Sequence, residues 1–320
     1  MKRKVIALIV PVYNEGENLR PLLNKIEEAF KAIEGHEWRL CFVDDGSTDS
    51  SWQQIKELTQ FDERVSGVTL SRNFGKEMAL TAGIENFQGM DAVICMDADL
   101  QHPPDKLPEM IRMWENGSEI VVGIRQSVAD YSLIKRIGST CFYRLLKWVS
   151  DVDIPPNSTD FRLLDSKVVD TLCKFSERTR MFRGLIDWMG YKKDFLYFDA
   201  PARSNSGKPA YSLRKLFRLA LNSITSFSLL PLRLTGYLGV LVSFLASVLL
   251  LYMIVSDILF AQLYTPQAYL IVFITFLVGI ILCALGLMSM YIGHIHTEAV
   301  GRPLYIVRKR AGMPDKQQGN

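Results

Sequence analysis

The chain has 320 residues, of which 48% are hydrophobic and 22% charged. That length and balance exclude a disordered chain, a collagen-like fibre and a small disulfide-stapled scaffold. Charge is unevenly placed: residues 1–199 carry 26 Lys and Arg against 31 Asp and Glu, whereas residues 200–320 carry 11 against 3.

The N-terminus pairs a charged start with an apolar run, but Pro11 ends that run too early for a signal-peptide core, so a buried first strand is expected. Strand-like runs then alternate with helical spacing. Strands are expected at residues 5–12, 39–44, 65–71, 91–97 and 120–124, with helices at 18–33, 51–60, 76–86 and 105–114. Pro108 falls in the first turn of the last helix, where its missing N–H forfeits no intrahelical bond. The repetition predicts an α/β fold with a largely parallel sheet covered on both faces. Ligands of such sheets bind beyond the carboxyl ends of the strands. The unusual polar residues stand there: Asn14, Glu15, Asp44, Asp45, Arg72, Asn73, Asp97 and Asp99. The cysteines, Cys41, Cys95, Cys141, Cys173 and Cys283, are odd in number and scattered, which fits reduced thiols rather than a disulfide framework.

Three runs carry candidate chemistry. Asp97 and Asp99 close an apolar strand, where residues two apart face one side and invite a cation; hard carboxylate oxygens suit Mg²⁺ or Mn²⁺ bridging a diphosphate. Gln101 extends that set. The run 43–49, VDDGSTD, is either a polar turn with helix caps at Asp49 or Ser50, or an acceptor for a base edge or sugar hydroxyl. The run 11–15, PVYNE, offers the Tyr13 ring with polar tips beside it.

Beyond residue 210 the pattern changes. Residues 234–255 and 268–292 contain no charge, and at about 1.5 Å per residue each run reaches the ~30 Å of a bilayer core. Basic residues flank both runs and are absent from 256–267, so a multi-pass protein with cytoplasmic termini is expected by the positive-inside rule. Residues 131–150 read either as core packing or as a membrane-surface helix, and 211–228 as an interfacial helix.

Six ordered runs then carry a resemblance: PVYNE at 11–15, VDDGSTD at 43–49, SRNFGKE at 71–77, MDADLQHPP at 96–104, IPPNSTDFRLLD at 154–165 and ERTRMFRG at 177–184. Together they resemble the membrane-anchored family 2 glycosyltransferases of the GT-A fold, in particular the bacterial polyprenyl-phosphate glycosyltransferases. The resemblance implies a GT-A domain at 1–210, an interfacial region at 211–233, a transmembrane hairpin at 234–293 and a cytoplasmic tail at 294–320, in the bacterial inner membrane. It implies a UDP-sugar donor, glucose by likeness, with N-acetylglucosamine, galactose or mannose as alternatives. The implied acceptor is undecaprenyl phosphate. A lipid bilayer and further copies of the chain, a tetramer by likeness, are the other implied partners, with no nucleic acid among them.

Residue by residue, Pro11, Tyr13, Glu15, Asp44 and Asp45 look like the uridine pocket. Asp97, Asp99 and Gln101 look like the sugar-nucleotide and Mg²⁺ or Mn²⁺ site. Lys76 is similar to the family's basic position near the diphosphate, and Asp160 to the aspartate assigned as catalytic. Arg125, Arg136 and Ser139 match acceptor-phosphate positions, joined by Arg203 and Lys208. The run 203–211 holds one residue more than the family pattern, and Met290 and His294 replace a customary Glu and Arg. A processive synthase is disfavoured because no QxxRW run occurs. A silent nucleotide-sugar-binding scaffold is the alternative of another class. Asp160 is expected to orient the acceptor or stabilise positive charge on the sugar rather than take a proton, because a phosphate monoester with a second pKa near ~6 is already largely ionised.

Overall fold

The structure, a computed structural model, describes residues 3–126, 157–177, 181–199, 255, 259 and 265–312. The chain divides into two compact units, one of Met1–Lys147, Asp151–Ala210 and Arg302–Asn320, the other of Trp148–Ser150 and Tyr211–Gly301.

The first unit is built on β1 (Lys4–Val12), α1 (Gly16–Lys31), β2 (His36–Asp44), α2 (Ser51–Phe61), β3 (Val65–Leu70), α3 (Lys76–Asn86) and β4 (Ala92–Cys95). A 3-10 turn at Pro104–Lys106 leads into α4 (Leu107–Glu115) and β5 (Ile120–Arg125). There follow β6 (Ser158–Asp165), α5 (Ser166–Cys173), α6 (Phe182–Trp188), β7 (Lys193–Phe198) and, late in the chain, β8 (Val307–Ala311). All eight strands form one sheet in the order β7-β5-β6-β4-β1-β2-β3-β8.

The expected parallel arrangement holds for β1 to β4. It fails further out, where β6 runs antiparallel to β4 and β5, and β8 antiparallel to β3. From β1 the chain winds outward to β3 and then crosses back to lay β4 on the other side of β1. The reversal opens a crevice between the carboxyl ends of β1 and β4, the switch point at which such sheets bind ligands.

Burial explains these elements. Ile6, Ala7, Leu8, Ile9 and Val10 have no exposed surface, as a strand covered on both faces requires. On α1 the buried Leu19, Leu22, Leu23, Ile26 and Phe30 recur at helical spacing, each aliphatic or aromatic side chain contributing about 1.5–3 kcal/mol on burial. Gly83 lets α3 approach the sheet closely, because a methyl group there would strike the side chain of Ile9.

The C-terminal segment, read from sequence as a tail, supplies the last strand. β8 covers the outer edge of β3, the Ser71 amide donates to the Ile306 carbonyl at 2.8 Å, and the Tyr305 hydroxyl donates to the Glu85 carboxylate. An otherwise open edge is thereby paired.

The second unit contributes α7 (Pro266–Val300), which ends on Gly301 in the left-handed conformation at φ 64°. The expectation of a multi-pass inner-membrane protein is corrected here: among the described residues no helix is long and apolar enough to cross a membrane. That expectation was drawn from the absence of charge along two runs, which is a statement about composition alone. Most of the run 234–255, and the helices expected at 131–150 and 211–228, lie outside the described residues.

Candidate active site

The predicted polar residues gather at the switch point. Past β1, the Asn14 amide donates to Ser47 Oγ at 3.0 Å, and Asn14 Oδ1 accepts from the Thr48 amide at 2.9 Å. Past β2, Asp44 accepts from the Ser47 amide at 2.9 Å and from the Thr69 hydroxyl at 2.6 Å. Asp45 accepts from the Phe74 amide at 2.7 Å and from the Gly75 amide at 2.9 Å. Both aspartates therefore organise loops, and Asp45 ties β2 to the turn that starts α3. Burial pushes the Asp45 carboxyl above the usual range, partly offset by those two amides. The Glu15 carboxylate accepts from the Asn18 side chain, while the Tyr13 ring stays 48% exposed.

Gly46 fixes the approach of these loops. Its φ is +68°, and a Cβ there would stand 2.5 Å from the Arg72 carbonyl carbon. Gly46→Ala is expected to lower the thermal unfolding midpoint by about 5 °C or more, since left-handed strain alone costs of order 1–3 kcal/mol. An unchanged midpoint would contradict that contact.

The acidic pair stands differently from expectation. β4 ends at Cys95, so Asp97 and Asp99 lie in the following turn rather than on extended strand. The turn contains Leu100 at φ 60°, a left-handed conformation that costs a non-glycine residue energy. Asp99 Oδ1 accepts from the Gln101 amide at 3.2 Å, and Gln101 Oε1 accepts from Arg125 Nη1 at 3.4 Å. Arg125, at the end of β5, is thus brought to this turn, and its Nε is buried without a hydrogen-bond partner among the described residues.

Lys76, the first residue of α3, reaches Asp97 and Asp160, each at 2.6 Å. Burial alone would lower its pKa, but the two carboxylates overcome this and hold the ammonium charged. Asp160 on β6 is gripped from the other side by Arg183 of α6, whose Nη2 donates to Oδ2 at 3.0 Å and whose Nε donates to Oδ1. Burial would raise the Asp160 pKa, yet Arg183 and Lys76 hold it far below the usual carboxylate range. Asp160 is therefore ionised and weakly basic.

Further polar contacts brace this centre. Arg183 Nη1 also donates to the Ser158 carbonyl at 2.9 Å. α6 is docked by its own Asp187, which meets the fully buried Arg162 of β6 at 3.5 Å and Lys193 of β7 at 3.0 Å. His102 stacks on Phe161, and its Nδ1 accepts the Asp97 amide at 2.9 Å. Burial lowers the His102 pKa, so the ring is neutral with its proton on Nε2, 3.8 Å from Asp97 Oδ2.

The structure thus brings Lys76, Asp97 and Asp160 together directly, and Asp99, Gln101 and Arg125 alongside. Arg136, Ser139, Arg203 and Lys208 lie outside the described residues. Arg183, Glu77 and His102 were not singled out from sequence, although all three stand inside the quoted runs ERTRMFRG, SRNFGKE and MDADLQHPP. No cluster of three acidic, histidine or cysteine side chains able to hold a metal occurs among the described residues. Two carboxylates nevertheless fit a Mg²⁺-like ion, which takes one or two of them and completes its shell with water and substrate phosphates.

Comparison with known proteins identifies the family. Residues 7–173 match the family described as Glycosyl transferase family 2. The chain is 38% identical over 308 residues to the "Uncharacterized glycosyltransferase sll0501" of Synechocystis sp., covering 96% of both. It is 37% identical to the "Uncharacterized glycosyltransferase YkcC" of Bacillus subtilis, covering 97% of this chain and 95% of that one. The "SfII prophage-derived bactoprenol glucosyl transferase" of Shigella flexneri is 36% identical, with 95% of this chain and 97% of that one covered. With the family match spanning more than half of the sequence and such relatives aligned along nearly all of it, the chain belongs to glycosyl transferase family 2.

Proposed function

We propose that this enzyme transfers glucose from UDP-glucose to undecaprenyl phosphate with inversion at the anomeric carbon. A phosphate oxygen of the acceptor forms the new bond to that carbon, and the bond to UDP breaks, its electron pair leaving with the diphosphate. The observation that carries this reading is the charge cluster at the switch point, where Lys76 and Arg183 frame Asp160 beside Asp97. Support for the acceptor comes from the relatives named as bactoprenol glucosyl transferases.

In this reading each residue takes a role. Tyr13 presents a ring to the uracil, with Pro11, Glu15, Asp44 and Asp45 shaping the nucleoside pocket. Asp97 and Asp99, with Gln101 beside them, would hold a Mg²⁺ or Mn²⁺ ion, which when bound neutralises charge gathering on the diphosphate. Lys76 adds a fixed positive charge on the same side. Arg125 faces the acceptor phosphate, with Arg136, Ser139, Arg203 and Lys208 assigned to the same anion. Asp160 orients the acceptor and balances positive charge developing on the sugar.

The test is release of UDP from UDP-glucose by the purified full-length chain, with and without detergent-solubilised undecaprenyl phosphate. Acceptor-dependent release is expected. Binding of UDP with no release from UDP-glucose, UDP-N-acetylglucosamine or UDP-galactose would identify a silent binding protein instead.

A further inference from the structure

The proposed roles leave unused the half-buried carboxylate beside Lys76. Glu77 follows Lys76 on α3, and its side chain turns inward, where Oε2 accepts the Phe182 amide at 2.9 Å. Phe182 opens α6 and immediately precedes Arg183. The two cations that frame Asp160 are thus each one residue from an atom of this single contact: Lys76 by covalent succession to Glu77, Arg183 by succession to Phe182.

We propose that Glu77 is a positioning residue of the transfer site, holding Lys76 and Arg183 against Asp160 by accepting the Phe182 amide. The inference rests on the reading of this cluster as the site of sugar transfer. The groups facing Glu77 are Asp160 of β6, Arg183 of α6 and Lys76 of its own helix. Burial, with the Asp160 charge adding to it, pushes the Glu77 carboxyl up to about 7, against the opposing pull of the Phe182 amide, Arg183 and Lys76.

Glutamine keeps an oxygen for the Phe182 amide and removes the ionisation, whereas alanine removes the acceptor altogether. Wild type, Glu77→Gln and Glu77→Ala are compared as full-length proteins, with UDP-glucose and undecaprenyl phosphate for kinetics and with thermal unfolding across about pH 5 to 9. Glu77→Ala is expected to lower kcat by at least ~30-fold with the donor KM changed less than ~3-fold, because misplaced cations act on the transition state. Glu77→Gln is expected to restore kcat to within ~3-fold of wild type.

Unfolding gives an independent reading. A carboxyl whose folded pKa lies above its unfolded value contributes stability that is present at low pH and lost as pH rises through the folded value. The wild type is therefore expected to fall behind Glu77→Gln as pH rises towards and through 7, within a window opening near the ordinary carboxylate pKa of about 4.3. A Glu77→Ala enzyme as fast as wild type, or a Glu77→Gln enzyme as slow as Glu77→Ala, overturns the proposal. Should the wild type transfer no sugar at all, the transfer reading fails on its own. The unfolding comparison then decides Glu77, and a stability gap that does not vary with pH overturns its placement against Asp160.

Discussion

Asp160→Asn is expected to reduce sugar transfer by about 10²–10³-fold while leaving UDP affinity within a few-fold of wild type. The argument is electrostatic. Asp160 is 5% exposed and receives both Lys76 and Arg183, so the neutral amide leaves two cations facing each other without their shared counter-charge. Asp160 is buried but the Lys76 and Arg183 side chains are 41% and 33% exposed, so solvent screening brings the cost below the ~3–5 kcal/mol of a fully buried pair while still freeing both side chains to move. The same arrangement disqualifies Asp160 as a general base, since a carboxyl held far below its usual range has little affinity for a proton near neutrality. The pH profile separates the two roles. A charge-balancing Asp160 gives a slow variant whose profile keeps the wild-type shape, whereas a proton-abstracting one would take an ionisation near neutrality away with it. Stability carries a matching sign. Because the folded pKa is depressed, the contribution of Asp160 is present above about pH 4 and is lost only as pH falls below it, so the gap in unfolding midpoint between wild type and variant should narrow in acid alone.

Removing divalent cations with a chelator is expected to lower turnover by at least ~100-fold, with Mg²⁺ or Mn²⁺ restoring it. Asp99→Asn should reproduce most of that loss and blunt the restoration. The turn around Leu100 accounts for the sensitivity: it places Asp99 and Gln101 through one short hydrogen-bonded loop that Arg125 meets from β5. Asp97 is committed in addition to Lys76, so Asp97→Asn should impair both the cation site and the contact with α3. Titrating metal back into chelated wild type and Asp99→Asn enzyme, with UDP release as the readout, checks this. Full activity in the presence of chelator would contradict it.

Much of the framework was legible because it rests on local pattern. The continuous apolar runs of β1 to β4 and the helical spacing of α1 to α4 mark elements that bury two faces or one, and Lys76–Asn86 coincides with the expected helix at both ends. The acidic residues were legible because these strands end where the apolar run stops. What escaped notice depends on contacts between distant parts of the chain. β6 and β8 are antiparallel additions whose neighbours lie far off in sequence, and a short basic segment such as 307–311 looks like a solvated tail until β3 is present to pair with it. Nothing in the local sequence sets Arg183 and Glu77 apart from other charged residues. Their inward direction is set by the meeting of α3, α6 and β6, which no window of sequence contains. The multi-pass expectation went beyond its basis, since absence of charge is a property of composition, and among the described residues no helix is long and apolar enough to cross a membrane.

The most direct test is mass spectrometry of the lipid fraction after incubating the full-length chain with UDP-glucose, a divalent cation and undecaprenyl phosphate. One added hexose on the polyprenyl phosphate, formed about 10²–10³-fold more slowly with Asp160→Asn, is the predicted result. A lipid that stays unmodified with UDP-glucose and with every other UDP-sugar supplied, while the protein binds UDP, would contradict the account.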